Sequence, residues 1–316
     1  MSWISRLAWA VTLAVALVKP ATARERWDAM RRPIAASMLM MVLLAGCSGA
    51  DGDRAPNEAS SSGAPTSQTP PGEMIGKFDV GDYQLYLTCK GTGSPTVVYL
   101  HGLGGGGTAP EVMEGLAPRL TDRHRFCSYD RVNTGQSDMQ QDQHTGADSV
   151  RDLHTLLAAA DVRGPYLLLG WSYGGQLATM YAGTYPDDVM GLLLLDSSLP
   201  IDEEVDALIP PDELAQLKVE WEAAEREDIY PTTMDQAKQA VRSIPDVPVT
   251  YMTAEPKEYP PTWPGERMQT LYQAKLAEFV DQLSQGRLVP VKSSHDIGQD
   301  QPELVVAEVQ RIVSNS

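Results

Sequence analysis

Ser172 lies between a short apolar segment, Leu167–Leu169, and a helix-forming segment, in the pattern Gly170-Trp-Ser172-Tyr-Gly174. Where a strand passes into a helix through GxSxG, the chain turns sharply and lifts the serine hydroxyl clear of the sheet. The flanking glycines let the backbone bend without steric clash. The pattern alone has low specificity. It predicts Ser172 as a nucleophile only if the chain also supplies its partners.

A serine nucleophile needs a base within hydrogen-bond reach. Four of the five histidines lie beside a glycine turn, before a strand, in a polar loop or on a helix: His101, His124, His144 and His154. His295 instead follows the last predicted strand, so it lies at the same sheet edge as Ser172. It has no second His or Cys nearby, as a metal site would require. We therefore predict His295 as the base and expect no metal and no organic cofactor.

A carboxylate must orient that histidine, and three are candidates. Asp196 directly follows a predicted strand at 190–195, whereas Glu255 and Glu258 follow one at 247–253. Both strands end beside the expected site, and geometry rather than chain position defines a triad. Asp196 is our first choice, Glu255 the main alternative and Glu258 the third.

Backbone N–H groups must stabilise the oxyanion that forms when the serine attacks. The N–H of Tyr173, directly after the nucleophile, is the first candidate donor. The second should come from the turn after the strand 96–100. We predict Leu103, with Gly104 in reserve.

The same glycine-rich turn suggests an alternative. Gly102, Gly104 and Gly107 follow a strand, and Asp130 comes about 20 residues later, which is close to a dinucleotide-binding fingerprint. The third glycine should lie within a helix, but Pro110 follows it closely, and proline is tolerated only in a first turn. Nucleotide binding is therefore the weaker interpretation.

Strands and helices alternate along the chain after residue 73, which predicts an α/β fold with a mostly parallel sheet and helices on both faces. Ligands then bind beyond the carboxyl ends of the strands. The acidic, proline-punctuated segment 199–245 interrupts the alternation and is interpreted as an inserted helical cap. The predicted strands are 75–80, 83–88, 96–100, 125–129, 166–170, 190–195, 247–253 and 287–291. The predicted helices include 111–120, 149–160, 211–229, 233–243, 266–283 and 302–313.

The 316 residues carry a formal charge of −17, which becomes −21 without the first 46 residues. Phosphate binding needs a basic surface, so nucleic acid is not an expected partner. The sequence does not indicate an oligomeric state.

Two apolar runs near the N-terminus, 7–18 and 34–45, are too short to span a bilayer and have the length of a signal-peptide core. Met30 and the basic pair Arg31-Arg32 precede the second run, so we expect translation to start at Met30. Cleavage after Ala23 is the alternative. Residues 1–46 are interpreted as an export signal.

The second run ends in Leu44-Ala45-Gly46-Cys47, which resembles the lipobox of bacterial lipoproteins. That resemblance implies signal cleavage before Cys47 and lipidation of the cysteine. The segment 48–72 is rich in Ser, Pro and Gly, as flexible tethers are. We expect a protein exported and lipid-anchored to the outer face of a bacterial membrane, with residues 73–316 as its folded domain.

Cys89 and Cys127 remain as an even pair in a chain bound for an oxidising compartment, where disulfides persist. A disulfide is expected if their strands approach within bonding distance. The alternative is two buried thiols.

Several motifs occur in the order found in the α/β-hydrolase superfamily, which the chain resembles over residues 75–314: His101-Gly102, Tyr129–Asp138, Gly170–Gly175 and His295. The resemblance implies an eight-stranded sheet with its second strand between the first and fourth, so that Cys89 and Cys127 lie on neighbouring strands. It also implies a cap at 199–245.

The chain departs from the family pattern at two positions. Asn133 replaces a usual glycine, which is tolerable because Asn enters the left-handed region readily. The family's usual acid would fall near Lys257, but some members, including certain haloalkane dehalogenases, place it after the sixth strand, which matches Asp196. Serine at 172 argues against dehalogenase and epoxide hydrolase chemistry.

We therefore expect a serine hydrolase that cleaves an ester or related acyl bond of a small molecule through an acyl-enzyme. The alternatives are a peptidase acting on N-terminal residues, a cofactor-free haloperoxidase and a non-catalytic cell-surface binding module on the same fold.

Overall fold

The computed structural model describes residues 72–316. The expected start at Met30, the export signal, Cys47 and all of the tether except residue 72 lie outside the described residues. Among the helices of residues 72–316, none is long and apolar enough to cross a membrane.

One eight-stranded sheet organises the described residues, and its strands are β1 (Met74–Asp79), β2 (Gln84–Lys90), β3 (Thr96–Leu100), β4 (Arg125–Tyr129), β5 (Tyr166–Trp171), β6 (Val189–Leu195), β7 (Val249–Glu255) and β8 (Gly286–Lys292). Their order across the sheet is β1-β2-β4-β3-β5-β6-β7-β8. Strand β2 runs antiparallel to both β1 and β4, and every other pair is parallel. The predicted fold class is confirmed, including the place of β2 between β1 and β4.

The helices are α1 (Ala117–Leu120), α2 (Gly146–Ala159), α3 (Tyr173–Thr184), α4 (Asp202–Asp206), α5 (Pro211–Glu225), α6 (Met234–Ala240), α7 (Gly265–Asp281), α8 (Ile297–Asp300) and α9 (Pro302–Asn315). Two π-helical turns, Glu111–Leu116 and Ile229–Thr233, precede α1 and α6, and two short 3-10 turns occur at Pro186–Asp188 and Val241–Ser243.

The core has two apolar layers, one on each face of the sheet. Successive strand residues point to opposite faces, so Leu168 packs in one layer and Leu167 in the other. Helices α2, α3 and α7 cover the first layer, and α1 and α9 cover the second. The central strands β3, β5 and β6 are almost wholly apolar because both of their faces are covered.

Two of the helix boundaries that differ from the prediction have a local cause. Helix α2 begins at Gly146, three residues early, because Thr145 and Asp148 form a reciprocal capping box at its N-terminus. Helix α5 ends at Glu225 rather than near residue 229, because Arg226 adopts the left-handed conformation, with φ of 59°.

A disulfide bond joins Cys89 of β2 to Cys127 of β4. The two cysteines lie directly opposite each other in the antiparallel ladder, and both are fully buried. The second strand therefore reaches the rest of the sheet through both hydrogen bonds and a covalent link.

The Cys89→Ala/Cys127→Ala double variant should unfold at a lower urea concentration than the parent. The disulfide closes a loop with a sequence separation of 38 residues, and its removal should cost about 2 to 4 kcal/mol of unfolding free energy. A reductant should lower the stability of the parent and leave the variant unchanged. Equal stability of parent and variant would contradict the expectation.

Candidate active site

Ser172 occupies a strained turn between β5 and α3, with φ of 53° and ψ of −126°. Strained backbone persists only where the surroundings hold it, and it is concentrated at functional sites. Here the Ser172 N–H donates to the Leu195 carbonyl at 3.1 Å, and its own carbonyl accepts from the Ser198 N–H at 2.9 Å. The end of β6 thus fixes the serine above the sheet.

The glycines after Ser172 allow α3 to start very close to the sheet. A Cβ at Gly174 would overlap the backbone carbonyl of Leu100, and one at Gly175 would overlap the Ser197 side chain. Any larger residue at either position would push the first turn of α3, and Ser172 with it, away from the strand ends.

His295 lies in the loop between β8 and α8, and its Nδ1 is 2.7 Å from Oδ2 of Asp196. Asp196 directly follows β6, and its side chain is only 4% exposed, whereas that of His295 is 56% exposed. The Trp171 indole N–H donates to the His295 carbonyl at 2.9 Å. The structure therefore brings His295 and Asp196 together next to the residue that precedes Ser172.

Two further donors face the Asp196 carboxylate. The Ala254 N–H of β7 donates to Oδ1 at 3.0 Å, and Lys257 Nζ lies 2.6 Å from the same oxygen. Burial works against ionisation, but the hydrogen bond from His295 and the charge of Lys257 together lower the pKa of Asp196 below its ordinary value. Asp196 is therefore ionised at neutral pH and can hold His295 by a charge-assisted bond.

Ser172 and His295 line one cavity of about 490 Å³. In the described part of the chain, their side chains make no hydrogen bond to each other. Catalytic hydrogen bonds are often long without substrate and tighten when it binds. With Nδ1 held by Asp196, the second imidazole nitrogen is the one left for the serine.

The other two candidate carboxylates do not reach the histidine. Glu255 ends β7, and its Oε1 accepts from the Gln273 amide at 3.4 Å. Glu258 is exposed in the following loop. Within residues 72–316, no cluster of three His, Cys, Asp or Glu residues has a metal-binding arrangement.

Leu103 and Tyr173, the expected oxyanion donors, both line the cavity. The reserve candidate Gly104 is already engaged, because its N–H donates to Glu225 Oε1 at 2.7 Å. Of the two residues considered in this turn, Leu103 is therefore the one left to face a ligand.

A buried ion pair between Arg131 and Glu225 holds this turn. Their side chains are 2% and 1% exposed, and two hydrogen bonds of 2.6 and 2.7 Å join them. Arg131 also donates to the carbonyls of His101 and Gly102 at 2.7 and 2.9 Å. Although burial works against the charge, Glu225 raises the pKa of Arg131, so Arg131 stays charged. The end of α5 is thus linked to the turn that carries Leu103.

Glu227, two residues further on, contacts the other side of the site. Its carboxyl group accepts hydrogen bonds from the Tyr173 and Ser149 hydroxyls. Burial raises its pKa above the ordinary value. The last residue of α5, Glu225, therefore contacts the turn at Leu103, and Glu227 just after the helix contacts Tyr173.

Asp130, the acidic residue of the dinucleotide-like pattern, has an internal role. Its carboxylate accepts from the Thr108 N–H at 3.0 Å and from the Gln136 N–H at 2.8 Å. Both oxygens are thus engaged within the protein. Thr108 lies in the turn that precedes the π-helical segment Glu111–Leu116.

The opposite wall of the cavity comes from the segment expected to be a cap. It contributes Asp202 and Asp206 from α4, Trp221 and Ala224 from α5, and Ile229, Tyr230 and Met234. Burial, with the nearby Asp206 charge, raises the pKa of Asp202 to about 8. The site therefore has an apolar wall that contains two carboxyl groups.

These features agree with the sequence comparisons. A family model described as the alpha/beta hydrolase fold matches residues 95–234, and a solved structure of E-2-(acetamidomethylene)succinate hydrolase has a TM-score of 0.55 at 18% identity, covering 77% of this chain and 99% of its own. The chain therefore has the alpha/beta hydrolase fold.

Two curated relatives match shorter segments. The uncharacterized protein YqjL of Bacillus subtilis (strain 168) is 34% identical over 110 residues, which is 35% of this chain and 42% of the relative. A proline iminopeptidase of Arabidopsis thaliana is 33% identical over 136 residues, 42% of this chain and 34% of the relative. The matched parts thus span less than half the length of these relatives.

Sequence reasoning did not find several residues around the site. Lys257 lies where the family's usual acidic residue would fall and cannot replace it. In the structure it contacts the carboxylate of Asp196. Arg131 lies within the family motif Tyr129–Asp138, to which the sequence assigns no function for it. Glu225 and Glu227 fall in the acidic helix predicted over 211–229. Charged residues flanking a motif give no signal of burial, because only the tertiary fold brings them under the surface.

Asp202→Asn should make the protein more stable, increasingly so as the pH rises from 5 to 8. The folded state keeps the Asp202 proton up to about pH 8, whereas the unfolded state loses it near pH 4. Wild-type stability therefore falls across this range by up to about 1.4 kcal/mol per pH unit. Asp206, Asp196 and Lys257 also act on this group.

Urea unfolding of both proteins at pH 5, 6, 7 and 8 measures the difference. The asparagine variant removes the titration and leaves the neighbouring charges in place. A stability difference that stays constant with pH would contradict a raised pKa for Asp202.

Proposed function

We propose that the protein is a serine hydrolase that cleaves an ester or related acyl bond of a small molecule by a Ser172–His295–Asp196 triad. The observation that carries the proposal is the 2.7 Å hydrogen bond from His295 to a buried, ionised Asp196, beside a serine in a strained turn. The matched family and the hydrolases among similar structures support it at the level of the reaction class.

In the first step, the Ser172 hydroxyl attacks the acyl carbonyl while His295 takes its proton. The oxyanion accepts hydrogen bonds from the N–H groups of Tyr173 and Leu103. The carbon–oxygen bond of the ester then breaks, and His295 returns the proton to the leaving alcohol.

In the second step, His295 takes a proton from water, which attacks the acyl-Ser172 ester. The bond between the acyl carbon and the Ser172 oxygen then breaks, and His295 returns the proton to that oxygen. The acid is released and the Ser172 hydroxyl is restored. Asp196 orients His295 and stabilises the imidazolium in both steps. This scheme uses no metal or organic cofactor.

Peptidase action on an N-terminal residue is the second candidate. This candidate is supported by the similarity of a 136-residue segment of this chain to a protein named proline iminopeptidase. The same groups would act, with an amine in place of the alcohol as leaving group.

We further propose that the protein is exported and anchored to the outer face of a bacterial membrane through lipidated Cys47. The buried disulfide between Cys89 and Cys127 supports an oxidising destination. The tether would then hold the hydrolase domain away from the lipid.

A fluorophosphonate probe should label the protein covalently, and Ser172→Ala should abolish both labelling and hydrolysis of 4-nitrophenyl acetate. Phosphonylation requires an activated serine, which the alanine lacks. Ser198→Ala is the matched control, since Ser198 also lines the cavity but is not expected to react. It should still be labelled.

Intact-protein mass spectrometry gives the labelled fraction. Absence of label on the folded parent would overturn the proposal, as would full labelling of the Ser172→Ala variant.

A further inference from the structure

Gln176 is a fully buried polar residue in the first turns of α3, one turn beyond Ser172, and it lines the same cavity. Its amide nitrogen and its amide oxygen both lack a hydrogen-bond partner within residues 72–316. Buried side-chain polar groups are nearly always hydrogen-bonded, because leaving one unpaired costs stability. An unpaired, buried amide beside the expected nucleophile indicates that a bound ligand supplies the missing hydrogen-bond partner.

Asp202 lines the cavity too and has a third unpaired polar atom. Its Oδ2 accepts from the Leu199 N–H at 3.1 Å, but its shielded Oδ1 has no partner in the described chain. Asp206, one turn further along α4, accepts from the Tyr230 hydroxyl at 2.7 Å. The cavity wall therefore offers acceptor oxygens that the protein itself does not use.

Neither carboxyl group forms a salt bridge within residues 72–316. The charge of Lys257 acts on Asp202 and that of Lys218 acts on Asp206, but both lysines contact other groups. Lys257 contacts Asp196, and Lys218 lies over the Tyr230 ring at 4.2 Å. A buried carboxyl group without a cation is unfavourable, so this wall is electrostatically suited to a ligand that carries positive charge.

We propose that Gln176, Asp202 and Asp206 form a subsite for a protonated primary or secondary amine on the substrate. The proposal deepens the proposed function, on which it rests, by naming a substrate class. An ammonium group is donor-only, and the free oxygens of Gln176 and Asp202 are acceptors.

The electrostatics of the wall support an amine over other polar groups. A carboxylate or phosphate would bring negative charge to a wall that has acidic groups and, within residues 72–316, no cation in direct contact with them. A hydroxyl would satisfy one oxygen and leave the carboxyl group without a counter-charge. Burial and the nearby Asp206 charge raise the pKa of Asp202, and a bound cation would lower it again.

The remaining lining suits the carbon skeleton of such a ligand. Trp221, Ile229, Tyr230 and Met234 surround the acidic groups with apolar surface. Aromatic faces attract cations in addition to packing against alkyl chains. The ligand expected is therefore an ammonium group on an apolar body rather than a free polyamine.

The test compares n-pentylammonium with 1-pentanol, which have matched chains and differ in the cationic head. Binding is measured by calorimetry at pH 8 on Ser172→Ala, so that turnover does not interfere. The ammonium ion should bind at least tenfold more tightly than the alcohol. Equal affinities would overturn the proposal.

Two variants locate the effect within the cavity. Asp202→Asn in the same background should remove the tenfold preference, and Gln176→Leu should weaken ammonium binding while raising thermal stability, because it removes unpaired polar atoms. Asp212→Asn is the control, since it deletes an exposed carboxylate at the start of α5. A preference that survives Asp202→Asn, or is lost equally in Asp212→Asn, would overturn the assignment.

The subsite and the proposed function fail separately. An ammonium preference in a parent that does not hydrolyse 4-nitrophenyl acetate would sustain the subsite and overturn the hydrolase proposal. Hydrolysis without any ammonium preference would overturn the subsite alone.

Discussion

The Asp196 carboxylate is a buried charge, and a buried charge is tolerated only when it is paired and hydrogen-bonded. Its partners come from three places in the chain: the Ala254 N–H in β7, Lys257 in the loop after β7, and His295 after β8. Loss of any one of them would leave the others around an under-compensated anion. The carboxyl ends of β6, β7 and β8 are therefore tied together at one point, and that point orients the histidine.

A second buried charge pair organises the other side of the cavity. Arg131 and Glu225 bind each other and also hold the backbone on both sides of Leu103, through the Gly102 carbonyl and the Gly104 N–H. Helix α5 ends just before Arg226, and Glu227, directly after this turn, is also buried and accepts a hydrogen bond from Tyr173. The cap-like segment thus contributes to the geometry of the site as well as to the cavity wall.

The sequence predicted the sheet well because its signals are local. Apolar runs such as 166–170 read directly as buried strands, and the glycines around Ser172 mark a turn that the structure contains. The pairing of β2 with β4 followed from family resemblance rather than from periodicity. Its position at a strand end and the family resemblance favour Asp196, and the structure places its Oδ2 2.7 Å from Nδ1 of His295.

What the sequence could not indicate depends on tertiary burial. The sequence does not indicate that Lys257 pairs with Asp196, because this contact requires the loop after β7 to fold back onto the end of β6. Asp202 and Gln176 looked like ordinary residues of polar or amphipathic helices. Their unpaired oxygens can be recognised only in the folded structure, where the cavity surrounds them. The end of α5 likewise depends on tertiary contacts, such as that of Glu225 with Arg131.

The most direct test of the proposed triad is proton NMR of His295. In the parent, the Nδ1 proton held by Asp196 should give a strongly downfield resonance, assigned by its loss in His295→Gln. We predict that Asp196→Asn removes this resonance and that Glu255→Gln leaves it in place. A resonance that survives Asp196→Asn, or disappears in Glu255→Gln, would contradict the account.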